Sequence, residues 1–346
     1  MTFGGLLVAL YVWKCLMLVV FQNKIIYMPS FPPNSRSERI ADYAGQQCGD
    51  IAWADERTKA ADGTDLAMAV TTVPLPKGSR RIGAGPAADS DGRQPKAHVY
   101  ILYFQGNASS IPPRLPGLSW VLRAVSDSKA IDLSPMQLTF VCLSYRGFWT
   151  SRGRPSENGL RLDAEAGAEW ISRYHKQKYG DDSDLPVPIL LVWGQSIGCG
   201  VATNLAATGR LPTSLPIEGL ILETPFLSVK AMLETLYPQK WLPYKRLWPF
   251  LRNHLDSESN LGLIAKRCRE DGKKLPSIHI LEAERDEIVP REHGDLLCQK
   301  CIDLGVPAVR DTIPVAFHNE AIARGDGKKL AANAILQLIR RALDSS

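Results

Sequence analysis

One serine in this chain of 346 residues stands where a nucleophile could be built. Ser196 lies in a Gly-x-Ser-x-Gly pattern at residues 194–198, after an apolar run and before small residues typical of a helix. In a sharp turn from strand to helix, glycines two residues to either side of the nucleophile keep Cβ atoms away from neighbouring backbone. The alternative is a serine that only caps the helix. The strand before it and the helix after it favour a nucleophile.

A serine hydroxyl is a weak nucleophile until a base takes its proton, so a histidine and an acid should follow it in the chain. Of the six histidines, His318 follows the last predicted strand and precedes the final helix. A loop there could aim its imidazole at Ser196, and we predict that His318 is the general base. A histidine of a surface loop is the alternative. We expect His175 on the exposed side of a long helix.

The acid of such a triad should lie just past the penultimate strand. Asp286 occupies that turn, where it would fix the tautomer of His318 and stabilise the imidazolium. Glu284 and Glu287 are close in sequence and compete for the role. Glu223, at the end of the preceding strand, is a less usual alternative. We predict Asp286.

Attack on a carbonyl creates an oxyanion, which needs two backbone N–H donors. Ile197, directly after the nucleophile, supplies one. The loop after the first parallel strand supplies the other, and there Gly106 lets the backbone approach the substrate and Asn107 offers its N–H. The sequence at 107–109 is also an N-glycosylation sequon, but its place in this loop gives no information about a luminal location.

Short, nearly continuous apolar runs must position these residues. They lie at 98–104, 138–144, 188–193, 219–223, 277–281 and 308–313. Runs of this length, buried on both faces, are typical of parallel strands. Helical patterns separate or follow them at 157–178, 196–208, 291–304 and 328–343. This alternation predicts an α/β protein with a mostly parallel, doubly wound sheet.

The rest of the chain divides around that sheet. Two antiparallel strands, near Ile51 and at 66–73, should flank a turn at 61–64, and no internal repeat is apparent. The predicted parts are an anchor at 1–22, a linker at 23–48, and one catalytic domain at 49–346 with a flexible insertion at 74–96 and a cap at 225–270. The aromatic residues of the cap are Tyr237, Trp241, Tyr244, Trp248 and Phe250. They either cover an acyl pocket as a lid or simply pack the cap onto the core.

The N-terminal segment at residues 4–21 is apolar except for Lys14. At about 1.5 Å per residue it reaches about 27 Å, close to the thickness of a bilayer core. A signal peptide and a buried core helix are the alternatives, but no basic stretch precedes the segment and no cleavage pattern follows it. We predict an uncleaved span or interfacial anchor in which Lys14 either snorkels or faces a partner. Lys24, Arg36 and Arg39 weakly favour a cytosolic body.

Composition excludes several classes of protein. The net charge of +5 is mild and no basic run is interleaved with aromatic residues, so we expect no nucleic-acid partner. Seven scattered cysteines do not form a disulfide framework. Cys298 and Cys301 permit a redox or zinc interpretation, but two cysteines on one helix face are favoured because no second ligand pair stands nearby. We predict no cofactor and no metal.

Several motifs together resemble a known superfamily. They stand at 25–29, 62–64, 105–108, 144–148, 153–157, 194–198 and 223–226. The chain resembles the α/β-hydrolases, and more narrowly their membrane-anchored branch of BEM-type and ABHD serine hydrolases. It departs from the family where Gln105 replaces a usual histidine and where Ser144 replaces a frequent acidic residue. The turn around Arg146 is interpreted as structural, with an internal ion pair.

The resemblance implies hydrolysis of esters or thioesters of lipids or acylated proteins, on an endomembrane such as the endoplasmic reticulum. The side of the membrane stays open. The rival class is a catalytically silent, membrane-bound interaction protein built on the same fold. An aminopeptidase is a further alternative, because a fold does not determine a substrate.

Overall fold

The computed structural model describes residues 2–75, 97–128, 136–180, 186–239, 243 and 247–344. Its strands are β1 (Ala54–Lys59), β2 (Asp65–Leu75), β3 (Ala97–Phe104), β4 (Met136–Leu143), β5 (Val187–Gln195), β6 (Ile217–Glu223), β7 (Ser277–Ala283) and β8 (Ala308–Ile313). They form one sheet in the order β1-β2-β4-β3-β5-β6-β7-β8. Strand β2 is antiparallel to both of its neighbours, β1 and β4. The other six strands, β3 to β8, are parallel to one another. The predicted doubly wound α/β fold is confirmed.

Helices cover both faces of this sheet. In chain order, the described helices are α1 (Thr2–Val20), α2 (Gln22–Tyr27), α3 (Leu115–Ser126), α4 (Glu157–Tyr179), α5 (Ile197–Thr208), α6 (Val229–Leu236), α7 (Ser257–Glu270), α8 (Arg291–Asp303) and α9 (Gly325–Leu343). Apolar side chains of α4, α5, α7 and α8 pack on one face, and those of α3 and α9 on the other. Every residue of β3 and β4 is therefore buried, which explains why the central strands are continuous apolar runs.

The sequence interpretation did not predict four of the described helices: α2, α3, α6 and α7. Helix α3 buries Leu118, Val121, Leu122 and Val125, a spacing that is itself helical. Helix α7 lies in the predicted cap, where Asp256 caps it by accepting a hydrogen bond from the N–H of Ser259 at 2.9 Å. The signals were present, but turn-forming residues around each helix obscured them.

Some expectations need correction or lie outside the described residues. His175 is buried, and its Nδ1 hydrogen-bonds the hydroxyl of Tyr100 at 2.9 Å, because α4 turns that side chain toward the sheet instead of the solvent. The predicted insertion lies outside the described residues from position 76 to 96. So do Trp241 and Tyr244 of the cap.

Two cysteines share a face of α8. Cys298 is half-buried and Cys301 is buried, and burial raises the pKa of the Cys301 thiol to about 12. A thiol that holds its proton this strongly is a poor nucleophile. Within the described ranges, His, Cys, Asp and Glu form no cluster that could hold a metal ion.

Helix α1 projects from the body, and none of its apolar window Phe3–Val20 is buried. By length and composition it could cross a membrane. Helix α1 ends at Val20, and Gln22 is already buried in the folded body. Much of the predicted linker is packed too, with Tyr27 fully buried and short 3-10 turns at Ile40–Tyr43 and Gly45–Cys48.

Arg146 ties the turn after β4 to its surroundings. Its guanidinium meets Asp62 at 2.7 Å and Asp163 at 2.8 Å, and its N–H donates to Asp163 at 2.8 Å. The hydrogen bond from Arg146 lowers the pKa of Asp62 to about 2. Burial raises the pKa of Asp163 to about 6 even with the arginine beside it. Asp163 can therefore be buried as an anion only with the help of this cation.

Replacing Arg146 should expose that dependence. Arg146→Met leaves the buried Asp163 carboxylate without its cation and with only the backbone N–H of residue 146 as a donor, so the free energy of unfolding should fall by about 3–5 kcal/mol at pH 8. The loss should be smaller at pH 5, because Asp163 binds a proton below its pKa of about 6 and no longer needs a cation. Urea denaturation in detergent micelles at the two pH values measures both quantities.

Arg57→Met is the matched control. Arg57 also pairs with an aspartate, Asp65, at 2.7 Å, but the two side chains are 42% and 29% exposed. Exposed pairs contribute about 0–1 kcal/mol, so this variant should lose little stability. Equal losses in the two variants would contradict the assignment of Arg146 as the buried support.

Candidate active site

Ser196 occupies a strained turn between β5 and α5. Its φ of 51° and ψ of −116° are rarely adopted by a residue with a side chain. The turn is tight, because a Cβ on Gly194 would lie 2.3 Å from the carbonyl oxygen of Gly198, and one on Gly198 would lie 2.1 Å from that of Phe104. Only glycine fits at either position. Ser196 makes no side-chain capping bond to α5, which disfavours the alternative of a simple helix cap.

His318 and Asp286 form a close pair. The imidazole Nδ1 lies 3.0 Å from one carboxylate oxygen and 2.8 Å from the other, and the His318 side chain is 2% exposed. Because a carboxylate can only accept, Nδ1 is the donor and Nε2 is left to take a proton. The turn itself orients the acid, since Asp286 Oδ1 also accepts from the N–H groups of Ile288 and Val289.

The two competing glutamates hold backbone instead of the imidazole. Glu284 accepts from the N–H of Val315 at 2.6 Å, and Glu287 accepts from the N–H of His318 at 3.0 Å. Both therefore fix the loop that carries the histidine. Of the three acids in this turn, the structure brings Asp286 to the imidazole.

The loop after β3 lies beside the nucleophile. A Cβ on Gly106 would be 3.5 Å from Cβ of Ser196. The N–H of Gly106 donates to Gln195 Oε1 at 3.3 Å, and the N–H of Ala108 is likewise taken. Within the part of the chain that the structure describes, no hydrogen bond uses the N–H of Asn107.

The second predicted donor also lacks an internal partner. Ile197 opens α5, and the first N–H groups of a helix have no carbonyl four residues back. Such groups are oriented for an anion near the helix start. Both backbone donors predicted from the sequence are thus left available by the local hydrogen bonding of the described residues.

Glu223 lies behind the serine turn, and in the described part of the chain its carboxyl makes no hydrogen bond to the imidazole of His318. It is fully buried and accepts from Trp193 Nε1 at 3.0 Å and from Gln195 Nε2 at 3.4 Å. Its backbone carbonyl accepts from the N–H of Ser196 at 2.9 Å. Burial raises the pKa of its carboxyl to about 7, against the opposing influence of the charges on Arg114 and His318.

Sequence reasoning missed Arg114 and the role of Gln195. Arg114 donates from Nη1 to Gln195 Oε1, the same oxygen that receives the N–H of Gly106. Gln195 therefore links the two loops that flank the nucleophile. No sequence spacing signals Arg114, because it reaches the site from a 3-10 turn, Pro112–Arg114, just before α3.

Sheet order and the strained serine turn define the class of protein: the chain belongs to the α/β-hydrolase superfamily. A solved structure of an α/β-hydrolase from Vibrio vulnificus shares the fold, with a TM-score of 0.58 and 16% identity over 93% of this chain and 92% of that one. No family model matches the sequence.

Among curated proteins, the chain is similar to protein bem46 of Schizosaccharomyces pombe, with 31% identity over 67% of this chain and 65% of bem46. It is also similar to the lysophosphatidylserine lipase ABHD12 of Macaca fascicularis, with 33% identity over 61% of this chain and 46% of that protein. The resemblance inferred from the motifs is confirmed. The match spans less than two thirds of the length of either relative.

The buried acid behind the nucleophile should make stability depend on pH. The folded pKa of Glu223, about 7, lies above its ordinary value of 4.5, so folding loses stability as the pH rises between these values. Glu223→Gln stays neutral and keeps an acceptor for Trp193. It should match the wild type at pH 5 and exceed it by up to about 3 kcal/mol at pH 8, measured by chemical denaturation.

Glu169→Gln is the control, because Glu169 is exposed on α4. Its stability difference from the wild type should not change between pH 5 and pH 8. A Glu223→Gln variant whose advantage is the same at both pH values would show that Glu223 does not titrate in this range.

Proposed function

We propose that this protein is a membrane-anchored serine hydrolase that cleaves carboxylic ester or thioester bonds through an acyl-enzyme. The observation that carries the proposal is the bond between His318 Nδ1 and Asp286, on the loop after β8, in a fold whose strained turn carries Ser196. A buried histidine oriented by a carboxylate, with Nε2 left to accept a proton, is what a weak hydroxyl nucleophile requires.

The proposed reaction proceeds in two halves. Ser196 Oγ attacks the carbonyl carbon while His318 Nε2 takes the hydroxyl proton, and Asp286 stabilises the imidazolium. The N–H groups of Asn107 and Ile197 stabilise the oxyanion. The tetrahedral intermediate then expels an alcohol or thiol, which receives the proton from His318. Water, activated by the same imidazole, attacks the acyl-enzyme and releases the acid and Ser196.

A lipid acyl ester is the favoured substrate. The name of one relative, lysophosphatidylserine lipase, denotes activity on a lipid ester, and α1 would hold this chain at a bilayer. Ile288, Val315 and Phe317, within three residues of Asp286 or His318, expose 38%, 39% and 41% of their surface. Apolar side chains next to a reacting centre suit an acyl chain better than a polar peptide. We include thioesters of acylated proteins among the proposed substrates. We propose the endoplasmic reticulum as the location of the protein.

Covalent labelling tests the proposal directly. The full-length protein in detergent should react stoichiometrically with a fluorophosphonate probe, and Ser196→Ala should abolish labelling. Asp286→Asn should lower the rate of hydrolysis of a lysophospholipid by about 10⁴-fold, because it favours the wrong tautomer of the base. A wild-type protein that neither labels nor hydrolyses esters would favour the silent interaction protein instead.

Ser228→Ala is the matched control for the nucleophile. Ser228 also precedes a helix, but its Oγ accepts from the N–H of Ala231 at 3.1 Å as a true cap of α6. Its replacement should cost about 1 kcal/mol of stability and leave labelling intact. Equal loss of labelling in both variants would assign Ser196 a structural role.

Membrane attachment is a separate prediction. The full-length chain should stay with membranes after carbonate washing, and deletion of residues 2–20 should release a soluble, still labelled protein. The deletion stops before Gln22 because that side chain belongs to the body. Recovery of the full-length chain in the soluble fraction would contradict the anchor.

A further inference from the structure

The chain that follows the apolar helix packs directly against the loop after β3. The carbonyl of Tyr27 accepts from the N–H of Ala108 at 3.0 Å, and the carbonyl of Phe31 accepts from the N–H of Ser109 at 2.5 Å. We call residues 22–31 the juxtamembrane segment and residues 105–110 the oxyanion loop. The two N–H groups directly after Asn107 are thus held by carbonyls that lie much earlier in the chain, just after the apolar helix.

These acceptors hold a strained backbone. Ala108 and Ser109 have φ values of 57° and 59°, so two consecutive residues with side chains lie in the left-handed region. Such residues keep this conformation only when their surroundings fix it. The carbonyls of Tyr27 and Phe31 are the fixing partners. The N–H of Asn107 lies in the preceding peptide, separated by only one Cα from the peptide whose N–H the carbonyl of Tyr27 accepts, so its direction is coupled to the same contacts.

Asn253 seats the juxtamembrane segment on the body. It is 1% exposed. Its Oδ1 accepts from the hydroxyl of Tyr27 at 2.9 Å, and its Nδ2 donates to Asn23 at 2.7 Å. The neighbouring N–H of Arg252 donates to Gln22 at 2.7 Å. Both ends of α2 are therefore tied to one short stretch of the cap.

The last turn of α1 is hydrogen-bonded to the cap and to the juxtamembrane segment. Arg252 Nη2 donates to the carbonyl of Val19, in the last turn of α1, at 3.0 Å. Gln22 Nε2 donates to the same carbonyl at 2.9 Å. The end of the anchor, the cap and the oxyanion loop are consequently linked by a continuous set of hydrogen bonds.

We propose that the juxtamembrane segment is a positioning element of the oxyanion hole, and that Asn253 is the positioning residue that seats it. This inference rests on the proposed hydrolase function and assigns that function a regulatory contact. Seating of the segment orients the N–H of Asn107 toward the developing oxyanion. Displacement of the segment by movement of α1 in the bilayer releases Ala108 and Ser109 from the left-handed region and weakens that donor.

The test uses the full-length chain in detergent micelles with 4-nitrophenyl butyrate, a soluble ester that does not depend on the membrane. Asn253→Ala should lower kcat at least tenfold, and Tyr27→Phe several-fold, while KM changes less than twofold. The inhibition constant of a trifluoromethyl ketone should rise in proportion to the loss of kcat, because its hemiketal oxyanion uses the same donors.

A second measurement does not depend on activity. Hydrogen exchange followed by mass spectrometry should show faster exchange of the oxyanion-loop amides in both variants, because Ala108 and Ser109 lose their acceptors. Tyr179→Phe is the control: it also removes a hydrogen bond from a tyrosine hydroxyl, to His98 Nδ1 at 2.8 Å, but from a half-buried tyrosine at the other end of the sheet. It should change neither kcat nor exchange of the loop. If Asn253→Ala fails to fold, the conservative Tyr27→Phe decides.

The possible failures are distinguishable. A wild type that hydrolyses the ester, with variants of unchanged kcat and unchanged loop exchange, would overturn this proposal and leave the hydrolase intact. Variants that raise KM alone would also overturn it, because they would reveal a role in substrate binding. A wild type that neither labels nor turns over would overturn both.

Discussion

The close approach of β5, the start of α5 and the end of β3 is the constraint on which the site depends. Two glycines permit it, at 194 and 198, where a Cβ would strike a carbonyl oxygen at 2.3 and 2.1 Å. The same approach forces Ser196 into the left-handed region and sets the N–H of Ile197 at a free helix end. The strained turn at Ser196 and the position of the Ile197 N–H are therefore consequences of one packing contact between sheet and helix.

The remaining groups reach this turn from loops at the carboxyl edge of the parallel sheet, where ligands of open α/β sheets bind. Asp286 and Glu223 show how position at that edge separates two carboxylates. Asp286 lies in a turn whose own N–H groups donate to its carboxyl oxygen, beside an imidazole. Glu223 ends a central strand with only side-chain donors near its carboxyl, so burial raises its pKa to about 7. Asp286 is therefore placed to interact with the imidazole of His318, whereas the raised pKa of Glu223 favours its neutral form.

Much of this arrangement could be predicted from the sequence. Short apolar runs predicted the parallel strands. The turn at Ser196 could be predicted because a serine flanked by glycines between a strand and a helix is a pattern of adjacent residues. Asp286 and His318 could be placed by their positions after successive strands. Arg114 and Asn253 could not, because they act through contacts with residues more than 80 positions away. The exposed side assigned to His175 was wrong, since the phase of a helix relative to its sheet depends on tertiary packing.

The contacts of the juxtamembrane segment could not be predicted from the sequence either. Composition after the apolar stretch indicates a polar linker, and nothing in the spacing reveals that carbonyls of Tyr27 and Phe31 hold the oxyanion loop. Backbone acceptors leave no trace in residue type. The acceptors for the N–H groups at 106, 108 and 109 all lie outside the loop. These three N–H groups are therefore held from outside the loop and not by hydrogen bonds within it. A loop whose backbone is strained in this way requires a second segment to hold it, and in this fold that segment is the one that follows the apolar helix α1.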